Sequence, residues 1–186
     1  MDLIILGAPG SGKGTQGALL STRLGIPKIS TGDLLRAAVK DGTRLGTEAK
    51  GYMEKGLLVP DQIILGLIEE VLRSAEAAQG VIMDGFPRTE AQAEAVDKLL
   101  AAQQRQVDKV LLIDVPEEEL VQRMVRRAEI EGRSDDTPDT IRKRQGVYQQ
   151  QTAPLIAFYD RRNLVARVDG KGTVEEIAER VHGVVR

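Results

Sequence analysis

The first turn of the chain constrains its fold more than any other stretch. Leu3-Ile4-Ile5-Leu6 is a short apolar run that leads directly into Gly7-Ala8-Pro9-Gly10-Ser11-Gly12-Lys13-Gly14-Thr15. This pattern predicts a buried strand feeding a glycine-rich loop, with a helix beginning near Lys13. Glycines let the backbone turn sharply and aim several N–H groups at one point, and the helix adds its positive N-terminal end there. The spacing Gly7-x4-Gly12-Lys13 fits the phosphate-binding P-loop, with Lys13 placed to reach the outer phosphates. One departure is informative: Gly14 stands where most P-loops have Ser or Thr, and the hydroxyl comes one residue later at Thr15. A plain turn between strand and helix would not need so long a match.

The rest of the composition narrows the setting. At 186 residues the chain suits one domain with room for a substantial core. A formal charge of -2 offers no general attraction to nucleic acid or a membrane surface. Cysteine is absent, which excludes disulfides, thiolate zinc sites and cysteine nucleophiles, and fits a reducing compartment. No apolar run approaches the roughly 20 residues of a membrane span, and no signal peptide precedes the loop. A cytoplasmic protein without membrane or nucleic-acid partners is expected.

Apolar runs that read as buried strands recur at Leu3–Leu6, Val81–Met83, Val110–Ile113 and Leu164–Val168, with a weaker fifth at Lys28-Ile29. Helical periodicity fills the intervals. Strands buried on both faces and alternating with helices indicate a parallel α/β sheet, whose ligand sits beyond the carboxyl ends of the strands. Two stretches interrupt the rhythm. Residues 31 to about 75 are too long for one crossover helix, and glycines 42, 46, 51 and 56 are expected to break them. Residues 128–138, with Gly132, Asp135, Asp136 and Pro138, form a polar break in an arginine-rich helical region, and one of the two excursions could act as a lid. Thr173-Val174-Glu175-Glu176 reads as a capping box, and Val174, Ile177, Ala178 and Val181 as the core face of a terminal helix.

The chemistry follows from carboxylate and arginine placement. Val81-Ile82-Met83-Asp84 is a strand ending in a carboxylate, followed by Gly85-Phe86-Pro87-Arg88. Beside a P-loop, such an aspartate supports Mg²⁺, directly or through water; the plainer alternative is a cap for the next element. Arg123, Arg126, Arg127, Arg133, Arg142 and Arg144 crowd around the polar break, and Arg36 and Arg88 occupy the other two phosphate-facing segments. Guanidinium groups hold phosphate oxygens in pairs, and transfer between two phosphorylated partners gathers enough negative charge to need many of them. Part of this cluster belongs to a salt-bridged surface with Glu117, Glu118, Glu119, Glu129 and Glu131; Arg126 and Arg142 are assigned there. The single histidine, His182, lies on the terminal helix and reads as structural. No general base is needed if the acceptor is itself a phosphate, largely dianionic near neutral pH.

These segments together resemble adenylate kinase in its short-lid form. The resemblance spans essentially the whole chain and rests on Gly7–Thr15, Ser30-Thr31-Gly32-Asp33-Leu34-Leu35-Arg36, Asp84-Gly85-Phe86-Pro87-Arg88, Gly132-Arg133-Ser134-Asp135-Asp136 and the run through Arg144. It implies a single P-loop kinase domain over residues 1–186, with a parallel five-stranded sheet flanked by helices. The core would comprise 1–29, 60–126 and 138–186, with a mobile AMP-binding segment at 30–59 and a short lid at 127–137. It further implies that Gly10, Ser11, Gly12, Lys13, Gly14 and Thr15 hold the ATP phosphates, with Lys13 stabilising the phosphoryl group in transit. Arg123 and Arg127 would face ATP, Arg123 near the adenine ring, and Gly172 would meet the base through its backbone. Thr31, Arg36, Leu57, Leu58, Val59, Gly85, Phe86, Pro87, Arg88 and Gln92 would form the AMP site, joined by Arg133 and Arg144 as the lid closes. Lys13, Arg88, Arg123, Arg133 and Arg144 would be catalytic, and Asp84 would hold Mg²⁺ through water. The Phe86–Pro87 peptide would be cis. Zinc, held by cysteines in some longer-lid relatives, is not expected, and a monomer is.

Two other functions compete. A uridylate/cytidylate kinase shares the phosphate machinery, but Thr31 and Gln92 match the adenylate pattern, and a glutamine amide can donate to and accept from adenine's edge. A nucleotide-dependent switch would need no second phosphorylated ligand, and a guanine-specific one would carry an Asn-Lys-x-Asp motif that is absent. With three tyrosines, two phenylalanines and no tryptophan, a stacking nucleic-acid surface is not supported. The expected reaction is Mg·ATP + AMP ⇌ 2 ADP.

Overall fold

The chain alternates strand and helix, and the computed structural model describes residues 1–131 and 137–185. Five strands, β1 (Asp2–Leu6), β2 (Lys28–Ser30), β3 (Val81–Asp84), β4 (Lys109–Asp114) and β5 (Val165–Asp169), form one parallel sheet in the order β2-β3-β1-β4-β5. All five expected strands are present. β1 and β3 are buried along their whole length. That is why they read as unbroken apolar runs rather than as alternating ones.

Alternate side chains of each strand feed two cores. Ile4, Leu6, Val81, Met83, Val110 and Leu112 face one side. There they pack on α4 (Asp61–Leu72), α5 (Glu90–Ala101) and α8 (Pro154–Asp160). Leu3, Ile5, Ile82, Leu111 and Ile113 face the other side, against α1 (Lys13–Leu24) and α9 (Val174–Val185). A two-residue period places neighbours on opposite faces, so each central strand anchors both layers.

Between β2 and α4 the chain makes two helices, α2 (Thr31–Lys40) and α3 (Arg44–Glu54). Gly42 and Gly56 end them, with φ of 64° and 65°. The other two glycines do not break anything: Gly46 and Gly51 lie inside α3. At Gly46 a Cβ would stand 2.0 Å from the Ala38 carbonyl oxygen, so glycine serves close helix packing there. The arginine-rich region is α6 (Glu117–Glu131) followed by α7 (Pro138–Val147), and a π turn at Tyr148–Thr152 joins α7 to α8. Gly132, Arg133, Ser134, Asp135 and Asp136, and with them the middle of the expected lid, lie outside the described residues.

The capping box forms as read. The Thr173 N–H donates to Glu176 Oε2 at 2.9 Å, and the Glu176 N–H to Thr173 Oγ1 at 3.2 Å. Ile177, Val181 and Val185 are the buried face of α9. Val174, expected in the core, is 45% exposed and sits at the mouth of the cleft, because the chain is only turning into the helix there. Among the described residues no helix is long and apolar enough to cross a membrane.

Candidate active site

A cleft of about 950 Å³ opens at the carboxyl ends of the strands, where the loops after β1, β2, β3 and β5 meet. The P-loop forms its floor. Gly7, Gly10 and Gly12 have φ of 150°, 89° and 91°, and a Cβ on Gly7 would collide with Ser11 Oγ and the Ile113 carbonyl. Gly12 caps α1, directing that helix's N-terminus into the cleft. Gly10, Gly12, Lys13, Gly14 and Thr15 all line the cleft. Ser11 does not: it is fully buried, and its N–H closes the turn on the Ala8 carbonyl at 3.1 Å. Gln145 on α7 donates to the Pro9 carbonyl at 3.1 Å and ties the loop to the arginine-bearing helix.

Lys13 holds the loop in shape from within. Its ammonium donates to the Gly7 and Ala8 carbonyls at 2.7 and 3.0 Å. Burial lowers its pKa from 10.5 to about 8; Asp84 opposes the shift, and Arg88, Arg144 and Arg127 add to it. Four cations from distant parts of the sequence therefore converge on one point. Their mutual repulsion lowers the Lys13 pKa, and anionic phosphates placed among them would relieve it.

Beyond β3 a second, narrower recess of about 70 Å³ adjoins the cleft. Thr31, Arg36, Leu57, Leu58, Val59, Gly85, Phe86, Arg88, Gln92 and Arg144 line it, while Pro87 lines the main cleft instead. Thr31 donates to the Gly85 carbonyl at 2.9 Å, joining the start of α2 to the β3 loop. The Phe86–Pro87 peptide is cis. Arg88 Nε donates to the Gly85 carbonyl at 2.7 Å, which aims its guanidinium out of the loop. Arg36, Arg88 and Arg144 line both recesses and so stand at their junction.

Gln92 is almost fully buried, and both ends of its amide are fixed. Its Oε1 accepts from the Arg88 N–H at 2.7 Å, and its Nε2 donates to Asp61 Oδ1 at 2.6 Å. Asp61 thus determines which way the amide points, leaving a further N–H and a further lone pair on the amide. No motif marked Asp61 in the sequence; it begins α4, far from Gln92 along the chain.

Arg123 and Arg127 line the main cleft, as does Gly172. Arg123 pairs with Glu119 one turn earlier at 2.5 Å and donates to the Gly170 carbonyl at 2.8 Å, so α6 is fastened to the loop after β5. Gly172, at φ 108°, packs so closely on Glu176 that a Cβ would lie 2.3 Å from its carboxylate. Arg142 pairs with Asp139 on an exposed surface, as expected. Arg126, assigned to the same surface, is exposed but borders the cleft. His182 on α9 lies outside the cleft residues.

Asp84 ends β3, nearly buried, with Oδ2 3.5 Å from where a Cβ on Gly14 would stand. Among the described residues no three His, Cys, Asp or Glu side chains gather into a metal cage. Two carboxylates that line the cleft, Asp84 and Asp33, both lie within 3.8 Å of Lys28. One or two carboxylates beside a phosphate site suit Mg²⁺, which keeps waters and takes phosphate oxygens as its other ligands.

Comparison with known proteins agrees with this geometry. The family model described as Adenylate kinase matches residues 5–164. An adenylate kinase of Xanthomonas campestris pv. campestris (strain 8004) is 51% identical over 181 residues, covering 97% of each chain. One from Thermus thermophilus is 51% identical over 183 residues, covering 98% of this chain and 96% of its own. One from Thermobifida fusca (strain YX) is 47% identical over 180 residues, covering 97% and 95%. With its parallel sheet, its P-loop and likeness of this extent, the chain belongs to the adenylate kinase family.

Proposed function

We propose that the chain transfers the γ-phosphoryl group of Mg·ATP to the phosphate of AMP, reversibly, giving two ADP. The observation that carries this reading is the junction itself: Lys13, Arg88, Arg127 and Arg144 converge where two recesses meet. A site for hydrolysis or switching needs only one of those recesses.

In this reading ATP lies in the main cleft. Its phosphates rest on the backbone of Gly10 to Thr15, and its base lies between Arg123 and the Gly172 backbone, beside Arg127. AMP enters the second recess, where Arg36 and Arg88 clamp its phosphate, Thr31 and Gln92 read its base, and Leu57–Val59 and Gly85–Pro87 shape the walls. An AMP phosphate oxygen forms the new bond to the γ-phosphorus as the bond to the β,γ-bridging oxygen breaks. No proton has to move, so positioning and charge neutralisation supply the catalysis. Lys13 follows the phosphoryl group, and Arg88, Arg123, Arg144 and Arg133 balance the charge spread over both nucleotides. Asp84 would hold Mg²⁺ through water, and the ion when bound neutralises and orients the outer ATP phosphates.

The size of the second recess supports a mobile segment at 30–59. A recess of about 70 Å³ is well below the roughly 300 Å³ that small-ligand sites begin at, which is in keeping with AMP entry by movement of the 30–59 segment away from the core. Closure of 127–137 would then exclude water, the competing acceptor. In the same reading the chain acts as a monomer, and its lack of cysteine is in keeping with a cytoplasmic role in balancing adenine nucleotides.

The test is ADP formation from Mg·ATP with AMP, UMP, CMP, GMP or dTMP as separate acceptors. Strong preference for AMP is expected. Preference for a pyrimidine would overturn the role given to Thr31 and Gln92, and acceptor-independent ATP hydrolysis would overturn phosphoryl transfer itself.

A further inference from the structure

One cation in the cleft belongs to no phosphate motif. Lys28 begins β2, and its aliphatic stem runs along α1, where Gly17 makes room for it: a Cβ there would lie 2.9 Å from Lys28 Cδ. The side chain is 18% exposed. Its ammonium stands 3.7 Å from Asp33 Oδ2 and 3.8 Å from Asp84 Oδ2, and donates to the Gly14 carbonyl at 3.3 Å. The Lys28 charge thus sits between two carboxylates that line the cleft, Asp84 and Asp33, and Asp33 also pairs with Arg36 at 2.5 Å through its other oxygen.

A nearly buried carboxylate such as Asp84 needs a cation close by. Lys28 shares that task with Lys13, on which Asp84 also acts, and it lies between Asp84 and Asp33, within 3.8 Å of both. Both of these Lys28 ion pairs are longer than a charge-assisted hydrogen bond. The ammonium can therefore yield ground without breaking a short contact.

We propose that Lys28 is the built-in counter-ion of the metal position. It stands in for a divalent cation between Asp33 and Asp84 while the site lacks one, and it competes with Mg²⁺ for those carboxylates when nucleotide binds. Lys28 thereby sets how tightly this chain holds its metal. The inference rests on the reading that Asp84 supports Mg²⁺. A unit charge a few ångströms from a divalent ion opposes its binding even in a water-like dielectric, and the effect is worth about tenfold in affinity.

The experiment titrates Mn²⁺ into protein held in excess over ATP and reads free Mn²⁺ by electron paramagnetic resonance. Lys28→Met, which keeps a stem over Gly17, is expected to bind Mn²⁺ about tenfold tighter than the unaltered protein. Lys28→Gln should shift the same way, and Lys28→Arg, which keeps the charge, should stay within about twofold. Melting is followed in parallel. Lys28→Met should melt lower than the unaltered protein without metal and nucleotide, and the gap should close once Mn²⁺ and ATP are added. Unchanged or weaker Mn²⁺ affinity in Lys28→Met and Lys28→Gln overturns the role of Lys28, as does equal tightening in Lys28→Arg or a melting gap that metal does not close. Asp84→Asn separates the two readings. If it weakens Mn²⁺ binding while the Lys28 variants do not tighten it, only the counter-ion inference falls; if it has no effect, the metal reading falls first.

Discussion

Lys13 shows what the cleft demands of a single side chain. Its ammonium is held by two loop carbonyls among three arginines, and burial lowers its pKa to about 8. Between that value and 10.5 the unfolded chain holds a proton that the native, nucleotide-free protein has given up. Native stability therefore rises with pH across this window, and below it the cost of burying the charge is present in full. Phosphates reverse the balance by supplying negative charge. ATP binding at a pH of about 8.5 should therefore take up roughly half a proton or more, and very little at about pH 6.5 in excess of the nucleotide's own titration. Calorimetry in two buffers of different ionisation enthalpy measures this directly. Uptake that persists in Lys13→Met would place the proton on another group.

At the scale of elements, the pairing of α2 with α3 builds the segment proposed to move for AMP. Gly46 lets the two helices approach until the Ala38 carbonyl occupies the space of its missing Cβ, and backbone rather than a flexible side chain is what an added methyl would meet. Gly46→Ala should spread the helices. The expected cost is about 1–3 kcal/mol by denaturant unfolding, with KM for AMP raised several-fold and KM for ATP little changed. An unchanged KM for AMP would show that the helix spacing does not shape that recess. The same helices show where sequence reading succeeds. Gly42 and Gly56 end helices because they adopt positive φ, whereas Gly46 and Gly51 look identical in the sequence and serve as helix interior. The central strands were legible because burial on both faces makes them continuously apolar. β2 was faint because Ile29 is its one fully buried residue. Thr31, Arg36, Arg88 and Arg144, which line the second recess, lie in or beside recognisable motifs, whereas Gln92 is reached only through the family resemblance. Lys28 and Asp61 were not findable, since each acts on a partner, Asp84 or Gln92, that only the folded sheet brings near.

At the scale of the molecule, the sheet separates chemistry from anchorage. Converging cations and a narrow recess lie at the carboxyl ends of the strands; at the amino ends lies a buried ion pair outside both recesses. Asp2 opens β1, and its carboxylate is gripped on both oxygens by Arg105, from the loop between α5 and β4, with Nε 3.0 Å from Oδ2. Their side chains are only 3% and 14% exposed. The Asp2 N–H donates to Asp108 Oδ2 at 2.7 Å, and the Arg105 guanidinium also reaches Gln103. The central strand and its neighbour β4 are thus pinned together at one end. Arg105→Ala leaves the Asp2 carboxylate buried without its cation, and should cost about 3–5 kcal/mol in denaturant unfolding, a large part of the ~5–15 kcal/mol that a domain this size holds in reserve. Adding Asp2→Asn removes the stranded charge and should recover a measurable share, so the two changes should be strongly non-additive. Turnover measured well below the lowered melting point should nevertheless stay within about twofold, because the four strand residues Leu3 to Leu6, at ~3.3 Å each, separate this pair from the P-loop. A fall in kcat that tracks the loss of stability would mean that the amino end of the sheet helps to hold the P-loop in its catalytic shape.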